Sequence, residues 1–193
     1  MAKNIVAAVT GASGALYAKL LLEQLCALRG QTGEVAVVFS DSGRDVFRYE
    51  LGRSADELLA ELPVKVYDNR SFYAPFASGS SDFESMVIAP CSMGTLARIA
   101  TGVADSLICR AADVMLKERR RLVLVVRETP YSLVHLRNMA AVTEAGGIIC
   151  PASPSFYSSP QTIEALAMTV VNRAISLAGL EVKSFRWGEE QLR

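Results

Sequence analysis

The sequence has one histidine and four cysteines, and neither residue type forms a metal-binding pattern. Cys26, Cys91, Cys109 and Cys150 are scattered, with no Cys-x-x-Cys pair, so neither a metal site nor a disulfide framework is predicted. Histidine-rich metal binding or Ser-His-Asp hydrolysis would have to depend on His135 alone. We therefore expect a thiol protein without a structural metal.

Long apolar runs and an excess of one charge are missing too. No apolar run approaches the roughly 20 residues that span a bilayer. The N-terminal stretch MAKNIVAAVTGASG enters an apolar strand directly, so we expect a cytoplasmic protein with no signal peptide and no membrane segment. Lysine and arginine together number 20, as do aspartate and glutamate, so bulk charge does not predict a nucleic-acid partner.

What the sequence has in excess is apolar residues, which make up 51% of the chain. This excess predicts a heavily buried sheet or extensive subunit interfaces. Apolar runs typical of buried strands alternate with helix-period segments, which predicts a doubly wound parallel α/β sheet in one domain over residues 1–193. The predicted strands are residues 4–9, 34–39, 64–67, 85–90, 121–126 and 146–151.

A glycine-rich stretch, VTGASGAL at residues 9–16, separates the first predicted strand from the first predicted helix. Backbone N–H groups and the positive end of a helix converge in such a turn, which is typical of phosphate binding. Thr10, Gly11 and Gly14 fit a dinucleotide fingerprint, but Tyr17 stands where its last glycine is expected. Three alternatives stay open: a nicotinamide dinucleotide, a mononucleotide, or no ligand.

Two further strand ends place polar residues at the same predicted edge of the sheet. Ser92 and Thr95 offer hydroxyl and N–H groups at the start of a helix. Arg127 and Glu128 follow the strand RLVLVV and, as consecutive residues, point in different directions. This position favours a functional role for both charges.

Arg110 and Lys117 are seven residues apart on one predicted helix, so we place them on the same helix face. Two loops rich in proline, serine and aromatic residues, at 68–82 and 151–160, directly follow predicted strands. We expect both loops to lie at the ligand-binding edge of the sheet and to cover a pocket there.

Five motifs, in order, resemble the UbiX-type flavin prenyltransferases, a family formerly labelled aromatic-acid decarboxylases. They are VTGASGAL, APFASGS, APCSMGTLA, RAADVMLKERRRLVLVVRETPYSLVHLRNM and FYSSPQTI, and the match runs to about Trp187. The resemblance implies a flavodoxin-like Rossmann fold that binds FMN, and a homo-oligomer, typically a dodecamer built from trimers. It implies transfer of a dimethylallyl group from dimethylallyl phosphate to N5 and C6 of reduced FMN, without a metal. The prenylated FMN would then serve a partner decarboxylase of the UbiD type.

The resemblance also implies roles for individual residues. Contacts to FMN are expected from Gly11, Ser13, Ser40, Ser92, Thr95 and Arg110. The prenyl phosphate is expected to meet Lys117, Arg127, Tyr157 and Arg173, because charge-assisted hydrogen bonds stabilise a leaving phosphate. Catalytic roles fall to Glu128 as acid and base, to Ser13 at the reacting edge of the flavin, and, on a looser match, to Glu50. Trp187 and aromatic residues of the 68–82 loop are expected to shield an allylic cation, and the tail at about residues 180–193 to cap the site or pack on a neighbour.

Other functions are alternatives at this point. Flavin-dependent cysteine decarboxylases resemble one another in a histidine in the first half and a Pro-x-Met-Asn signature, and this sequence has neither. A module that only stores FMN would have little use for the cations at Lys117, Arg127 and Arg173. Direct decarboxylation of aromatic acids is the third alternative. We expect prenyl transfer.

Overall fold

A parallel sheet forms the centre of the computed structural model, which describes residues 2–185 and 188. The strand order is β3-β2-β1-β4-β5-β6, and every neighbouring pair is parallel, so all carboxyl ends lie at one edge. The doubly wound parallel sheet predicted from the sequence is confirmed. Its strands are β1 (Lys3–Val9), β2 (Thr32–Phe39), β3 (Lys65–Asp68), β4 (Phe83–Cys91), β5 (Arg121–Val126) and β6 (Ile148–Pro151).

Alternate residues of each central strand bury against opposite faces of the sheet. In β1, Ile5, Ala7 and Val9 enter one apolar cluster, whereas Val6 and Ala8 enter the other. Because side chains alternate along a strand, a sheet covered on both faces needs nearly continuous apolar strands. This requirement explains why the strands are so legible in the sequence.

Helices cover both faces of the sheet. Four helices pack on the face that contains Ile5: α1 (Ala15–Ala27), α2 (Asp41–Leu51), α3 (Ala55–Glu61) and α7 (Ile163–Leu177). Three helices and a 3₁₀ helix at Pro75–Ala77 pack on the other face; the three are α4 (Met93–Ala100), α5 (Leu107–Lys117) and α6 (Leu133–Glu144). None of the helices within residues 2–185 is long and apolar enough to cross a membrane.

The strand order reverses between β1 and β4, and this reversal positions the candidate site. The chain moves outward from β1 to β3, then returns to place β4 on the other side of β1. In open α/β sheets, ligands bind outside the carboxyl ends of the strands at such a switch point. The loops that follow β1, β2, β4 and β5 therefore surround one crevice.

The two long aromatic loops both follow carboxyl ends of strands, as predicted, but they lie at opposite sides of the sheet within one chain. The 68–82 loop follows β3 and the 151–160 loop follows β6, which are the outermost strands on opposite sides of the sheet. Five strand spacings separate them, or about 24 Å. The 68–82 loop also buries Phe76 in the core, where it packs edge-on against Tyr67 and Phe83.

Candidate active site

Thr10 joins the first two loops of the switch point. Its Oγ1 donates to the carbonyl oxygen of Pro90 at 2.9 Å and accepts from the backbone N–H of Ser92 at 2.8 Å. Its own N–H donates to the same carbonyl at 3.2 Å, and the residue is 2% exposed. Thr10 therefore fixes the ends of β1 and β4 relative to each other. Sequence reasoning assigned it no role beyond a match to a nucleotide-binding pattern.

The glycine-rich loop after β1 is shaped by two close contacts. A Cβ atom on Gly11 would overlap the side chain of Ser42, which lies in the first turn of α2. Gly14 has a φ of 114°, a left-handed conformation that side chains disfavour, and directly precedes α1. The backbone conformation therefore favours glycine at position 14, and the Ser42 side chain favours it at position 11, independently of a ligand.

Glu50 occupies the N-terminus of α1. Its carboxylate accepts hydrogen bonds from the N–H groups of Gly14, at 2.9 and 3.1 Å, and of Ala15, at 2.7 Å. These are the donors that a phosphate would use in a strand-turn-helix motif. The carboxylate of Glu50, 36 residues along the sequence from Gly14, therefore occupies the position that a phosphate would take in this loop.

The ionisation of Glu50 reflects these contacts. Partial burial raises its pKa, but hydrogen bonds from the Ser13 side chain and from the N–H groups of Ala15 and Gly14 lower it, as does the charge of Arg127. The net pKa of Glu50 lies below its ordinary value, so the carboxylate is ionised at neutral pH. Glu50 and Ser13, both predicted as catalytic, are brought together.

Arg127 joins the same group from the end of β5. Its Nε donates to the carbonyl oxygen of Ser13 at 3.2 Å, and its backbone N–H donates to the carbonyl oxygen of Cys91 at 3.2 Å. Glu128 is half-buried next to it, and its Oε1 accepts from the N–H of Thr129 at 2.9 Å. The two consecutive residues thus have different partners, in line with the alternation predicted for a strand end.

Two other helix N-termini at this edge offer hydroxyl groups. Ser40 caps α2 by accepting from the N–H of Gly43 at 3.0 Å, and Ser92 caps α4 by accepting from the N–H of Thr95 at 3.3 Å. The hydroxyls of Ser92 and Thr95 lie 3.1 Å apart. The first turn of α4 contains no acidic residue, so its positive end remains available to an anion such as the phosphate of FMN.

Arg110 and Lys117 lie near opposite ends of α5. Arg110 donates to the carbonyl oxygen of Ala77 at 3.0 Å and forms an ion pair with Asp113 at 2.6 Å. Lys117 forms an ion pair with its neighbour Glu118. Both cations lie on the outer face of α5 with Asp113, because Ala111, Ala112, Val114 and Met115 between them are buried. The prediction of a shared face is confirmed.

The distance to Arg127 follows from the direction of α5. This helix precedes β5 and runs antiparallel to it, so Lys117 lies near the amino end of the strand. Arg127 follows the carboxyl end, six strand residues further on, or about 20 Å away. One chain therefore does not place Lys117 in a cluster with Arg127, and the predicted phosphate cluster is not formed within one copy.

Arg173 lines a groove beside β6, and Tyr157 contacts Phe185, another residue of its lining. The groove has a volume of about 840 Å³ and is lined by residues that include Pro151, Ser153 and Arg173. The ring of Tyr157 stacks on Phe185, with centroids 6.0 Å apart. Trp187, predicted to contact the substrate, lies outside the described residues.

His135 and Cys91, the other reactive side chains, have structural roles. Nδ1 of His135 accepts from the N–H of Ser132 at 3.2 Å, which completes a capping box at the start of α6. Cys91 is fully buried, and burial with the nearby Cys109 thiol raises the pKa of its own thiol. Within residues 2–185, no group of three histidine, cysteine or acidic side chains could hold a metal ion.

Known proteins match nearly the whole chain. The Flavoprotein family model matches residues 1–175. The flavin prenyltransferase UbiX of Methanothermobacter thermautotrophicus is 46% identical over 184 residues, which cover 95% of this chain and 94% of that protein. The crystal structure of AnUbiX (PadA1) in complex with FMN and dimethylallyl pyrophosphate gives a TM-score of 0.88 at 41% identity, covering 97% of this chain and 100% of that one.

A second solved structure, a dodecameric FMN-dependent UbiX-like decarboxylase from Escherichia coli O157:H7, gives a TM-score of 0.86 at 38% identity. The match covers 95% of this chain and 98% of that one. Identity at this level over at least 94% of each chain establishes the family. The chain belongs to the flavoprotein family and, within it, to the UbiX flavin prenyltransferases.

Proposed function

We propose that this protein transfers a dimethylallyl group from a dimethylallyl phosphate donor to N5 and C6 of reduced FMN. One observation supports this most directly. At the carboxyl edge, Arg127 contacts Ser13 beside the β1–β4 switch point, its charge acts on the Glu50 carboxylate, and Glu128 follows it in the sequence. A cation with carboxylates in the same strand-end region suits a reaction in which a phosphate leaves and a proton is removed.

Residues at the other loops of the crevice are suited to holding FMN. Ser92 and Thr95 present hydroxyls at the N-terminus of α4, whose first turn contains no acidic residue. Ser40 presents a hydroxyl at the N-terminus of α2. In this proposal they bind the phosphate and ribityl oxygens, with Gly11 allowing close approach. Bound reduced FMN supplies the nucleophilic N5 and C6 atoms.

Glu128 takes the role of acid and base in this proposal. Its carboxylate accepts one hydrogen bond, from Thr129, which leaves other acceptor positions for a proton removed at C6. Ser13 donates to Glu50, whose carboxylate is held ionised, so the serine hydroxyl is oriented by a fixed negative charge. Glu50 is thereby proposed to orient Ser13 at the reacting edge of the flavin.

The donor phosphate is proposed to bind between copies of this chain. Arg127 lies at the carboxyl edge, whereas Lys117 lies at the C-terminal end of α5, near the amino end of β5, so in this proposal a second copy supplies the lysine. Large exposed apolar side chains support subunit contacts of this kind. They include Leu133, Val134, Leu136, Phe156 and Ile163, each at least 49% exposed. We propose a homo-oligomer, a dodecamer as in the relative from Escherichia coli.

The cellular setting follows from the chemistry proposed. Prenylated FMN made here would be delivered to a decarboxylase of the UbiD type. Four buried cysteines are unpaired, which fits the reducing cytoplasm. We therefore place the reaction in the cytoplasm.

Anaerobic incubation of the protein with reduced FMN and dimethylallyl phosphate, followed by mass spectrometry of the extracted flavin, tests the reaction. We expect flavin heavier by one C5H8 unit, lost in Glu128→Gln and retained in Glu84→Gln, a matched change at an exposed position of β4. Unmodified FMN from the wild-type protein would refute prenyl transfer.

Mixed oligomers test the shared site. Glu128→Gln and Lys117→Met copies are each expected to be inactive alone. When they are co-expressed at equal amounts, about one site in four combines an intact Glu128 with an intact Lys117 from different copies, so about a quarter of the activity returns. If the mixture stays inactive, the proposal that the site is shared between copies is wrong.

A further inference from the structure

The loop that precedes β4 lies along the outer face of α5. Residues 77–81 of this loop, called here the serine loop, are held through their backbone carbonyl oxygens. Nε of Arg110 donates to the carbonyl oxygen of Ala77 at 3.0 Å, and Nη2 of Arg120 donates to that of Gly79 at 2.6 Å. Because one arginine belongs to α5 and the other follows its C-terminal end, the serine loop is fixed along the helix.

The chain turns sharply between α5 and β5. Arg119 has a φ of 57°, a left-handed conformation that glycine usually provides at the end of a helix. The N–H of Arg119 donates to the carbonyl oxygen of Leu116 at 3.1 Å. The N–H of Arg120 donates to that of Met115 at 2.8 Å, so the turn ends the helix and brings Arg120 to the serine loop. A non-glycine residue in this conformation indicates that the surroundings fix the path of the turn.

An ion pair at this turn lies on the backbone of Gly79. Nζ of Lys117 donates to Oε1 of Glu118, and a Cβ atom on Gly79 would overlap both of these atoms. The side chains of Lys117 and Glu118 are nevertheless 45% and 34% exposed. An ammonium group has three N–H donors and Glu118 accepts from one of them, so the others can serve an anion that approaches from outside this copy.

Glu118 is suited to hold the lysine in one place. The hydrogen bond from Lys117 and its charge lower the pKa of Glu118, and the charge of Arg120 adds to this, so the carboxylate is ionised at neutral pH. A lysine ammonium ends a flexible four-carbon chain, and ordering that chain on binding an anion costs conformational entropy. A carboxylate that orders it beforehand reduces this cost. Together with Arg120, the ion pair still presents a net positive charge.

We propose that Glu118 is a positioning residue for prenyl transfer: it holds the ammonium of Lys117 against Gly79, ready for the donor phosphate at Arg127 of another copy. This inference rests on the proposed function, in which the donor phosphate binds between copies. Glu118 contacts neither the flavin nor the donor and acts through Lys117. Gly79 supports this role because a side chain at that position would displace the ion pair.

Calorimetry with dimethylallyl phosphate and the full-length protein, loaded with oxidised FMN so that no transfer occurs, tests this role. We expect Kd to rise about three- to tenfold in Glu118→Gln, because the cost of ordering one long side chain then falls on the binding step. Glu144→Gln removes an exposed carboxylate at the C-terminal end of α6 and should leave Kd unchanged, which controls for charge at a helix end. An unchanged Kd in Glu118→Gln would overturn the inference.

A double-mutant cycle separates positioning from general structural support. Lys117→Met should weaken donor binding, and adding Glu118→Gln to it should not weaken binding further, because no lysine is left to position. A further three- to tenfold loss in this background, at roughly the margin expected in the wild type, would show that Glu118 acts by another route and would overturn the inference.

Steady-state kinetics with reduced FMN provide a second readout. The KM for dimethylallyl phosphate should rise in Glu118→Gln while kcat stays within about twofold, because lost preorganisation affects the ground state and the transition state alike. A fall in kcat at unchanged KM would place Glu118 in the chemical step and contradict the positioning role. If the wild type yields no prenylated flavin, the proposed function itself is wrong. If it does, and Glu118→Gln binds the donor as the wild type does, this inference alone is wrong.

Discussion

Replacing Glu50 by glutamine tests how the glycine-rich loop is stabilised. The helices α2 to α7 all have a serine or threonine N-cap, whereas Gly14 at the start of α1 provides no side-chain cap. Glu50 supplies the missing acceptors from α2, through hydrogen bonds to Gly14 and Ala15. Glutamine has nearly the same shape, but it lacks the charge and offers one acceptor oxygen instead of two.

The expected loss is about 1 kcal/mol of stability at pH 7. Loss of an N-cap costs about 0.5–2 kcal/mol, and an anion at a helix N-terminus contributes about 0.3–1 kcal/mol. Glu50 is largely exposed, so solvent screening places the sum at the lower end of this range. For a chain of this length, 1 kcal/mol lowers the Tm by about 2–4 °C.

The stabilisation that Glu50 provides should decrease as the pH falls. Because the folded-state pKa of Glu50 lies below its ordinary value of 4.5, the stabilisation is fully present above that value and is lost as pH falls through the folded pKa. The Tm difference between wild type and Glu50→Gln should therefore shrink between about pH 5 and pH 3. Thermal scans at several pH values measure it, with Glu84→Gln as control. A difference that is absent at pH 7, or constant over this range, would refute the reasoning.

Two further changes probe the loops around the switch point. Thr10→Val removes the acceptor for the N–H of Ser92 and the donor to Pro90, so we expect about 1–3 kcal/mol of destabilisation in urea unfolding; a loss under about 0.5 kcal/mol would contradict the role of Thr10 as a link. Gly11→Ala should lower the Tm because the new methyl overlaps Ser42, and Ser42→Gly in the same chain should restore most of it; no rescue would mean that the clash is elsewhere.

The sheet could be predicted from the sequence because its strands are buried on both faces. β5 was predicted at residues 121–126 and observed at Arg121–Val126, where every residue after the first is buried. The start of β6 was predicted two residues early, at 146, where the chain instead turns: Gly146 has a φ of 100°. Apolar periodicity identifies a strand, but it does not mark where the backbone leaves the extended conformation.

The site was less predictable, because its contacts join distant parts of the chain. The bond from Gly14 to Glu50 spans 36 residues, and the one from Arg127 to Ser13 spans 114. A motif identifies which residues are chemically suited to a site, but not which of them meet in one copy. Lys117 illustrates this: the same motif that contains Arg127 places the lysine at the opposite edge of the sheet.

The contact of Glu50 also changes what the glycine-rich loop can do. A carboxylate already bound to Gly14 and Ala15 excludes a second anion from those N–H groups unless Glu50 moves away. In the proposed function, the phosphate of FMN therefore belongs at the N-terminus of α4 or α2. The loop is then left to place Ser13 and Arg127 at the opposite, reacting end of the flavin. Under this proposal, a sequence pattern typical of phosphate binding serves catalysis instead, because the carboxylate of Glu50 occupies the position of the phosphate.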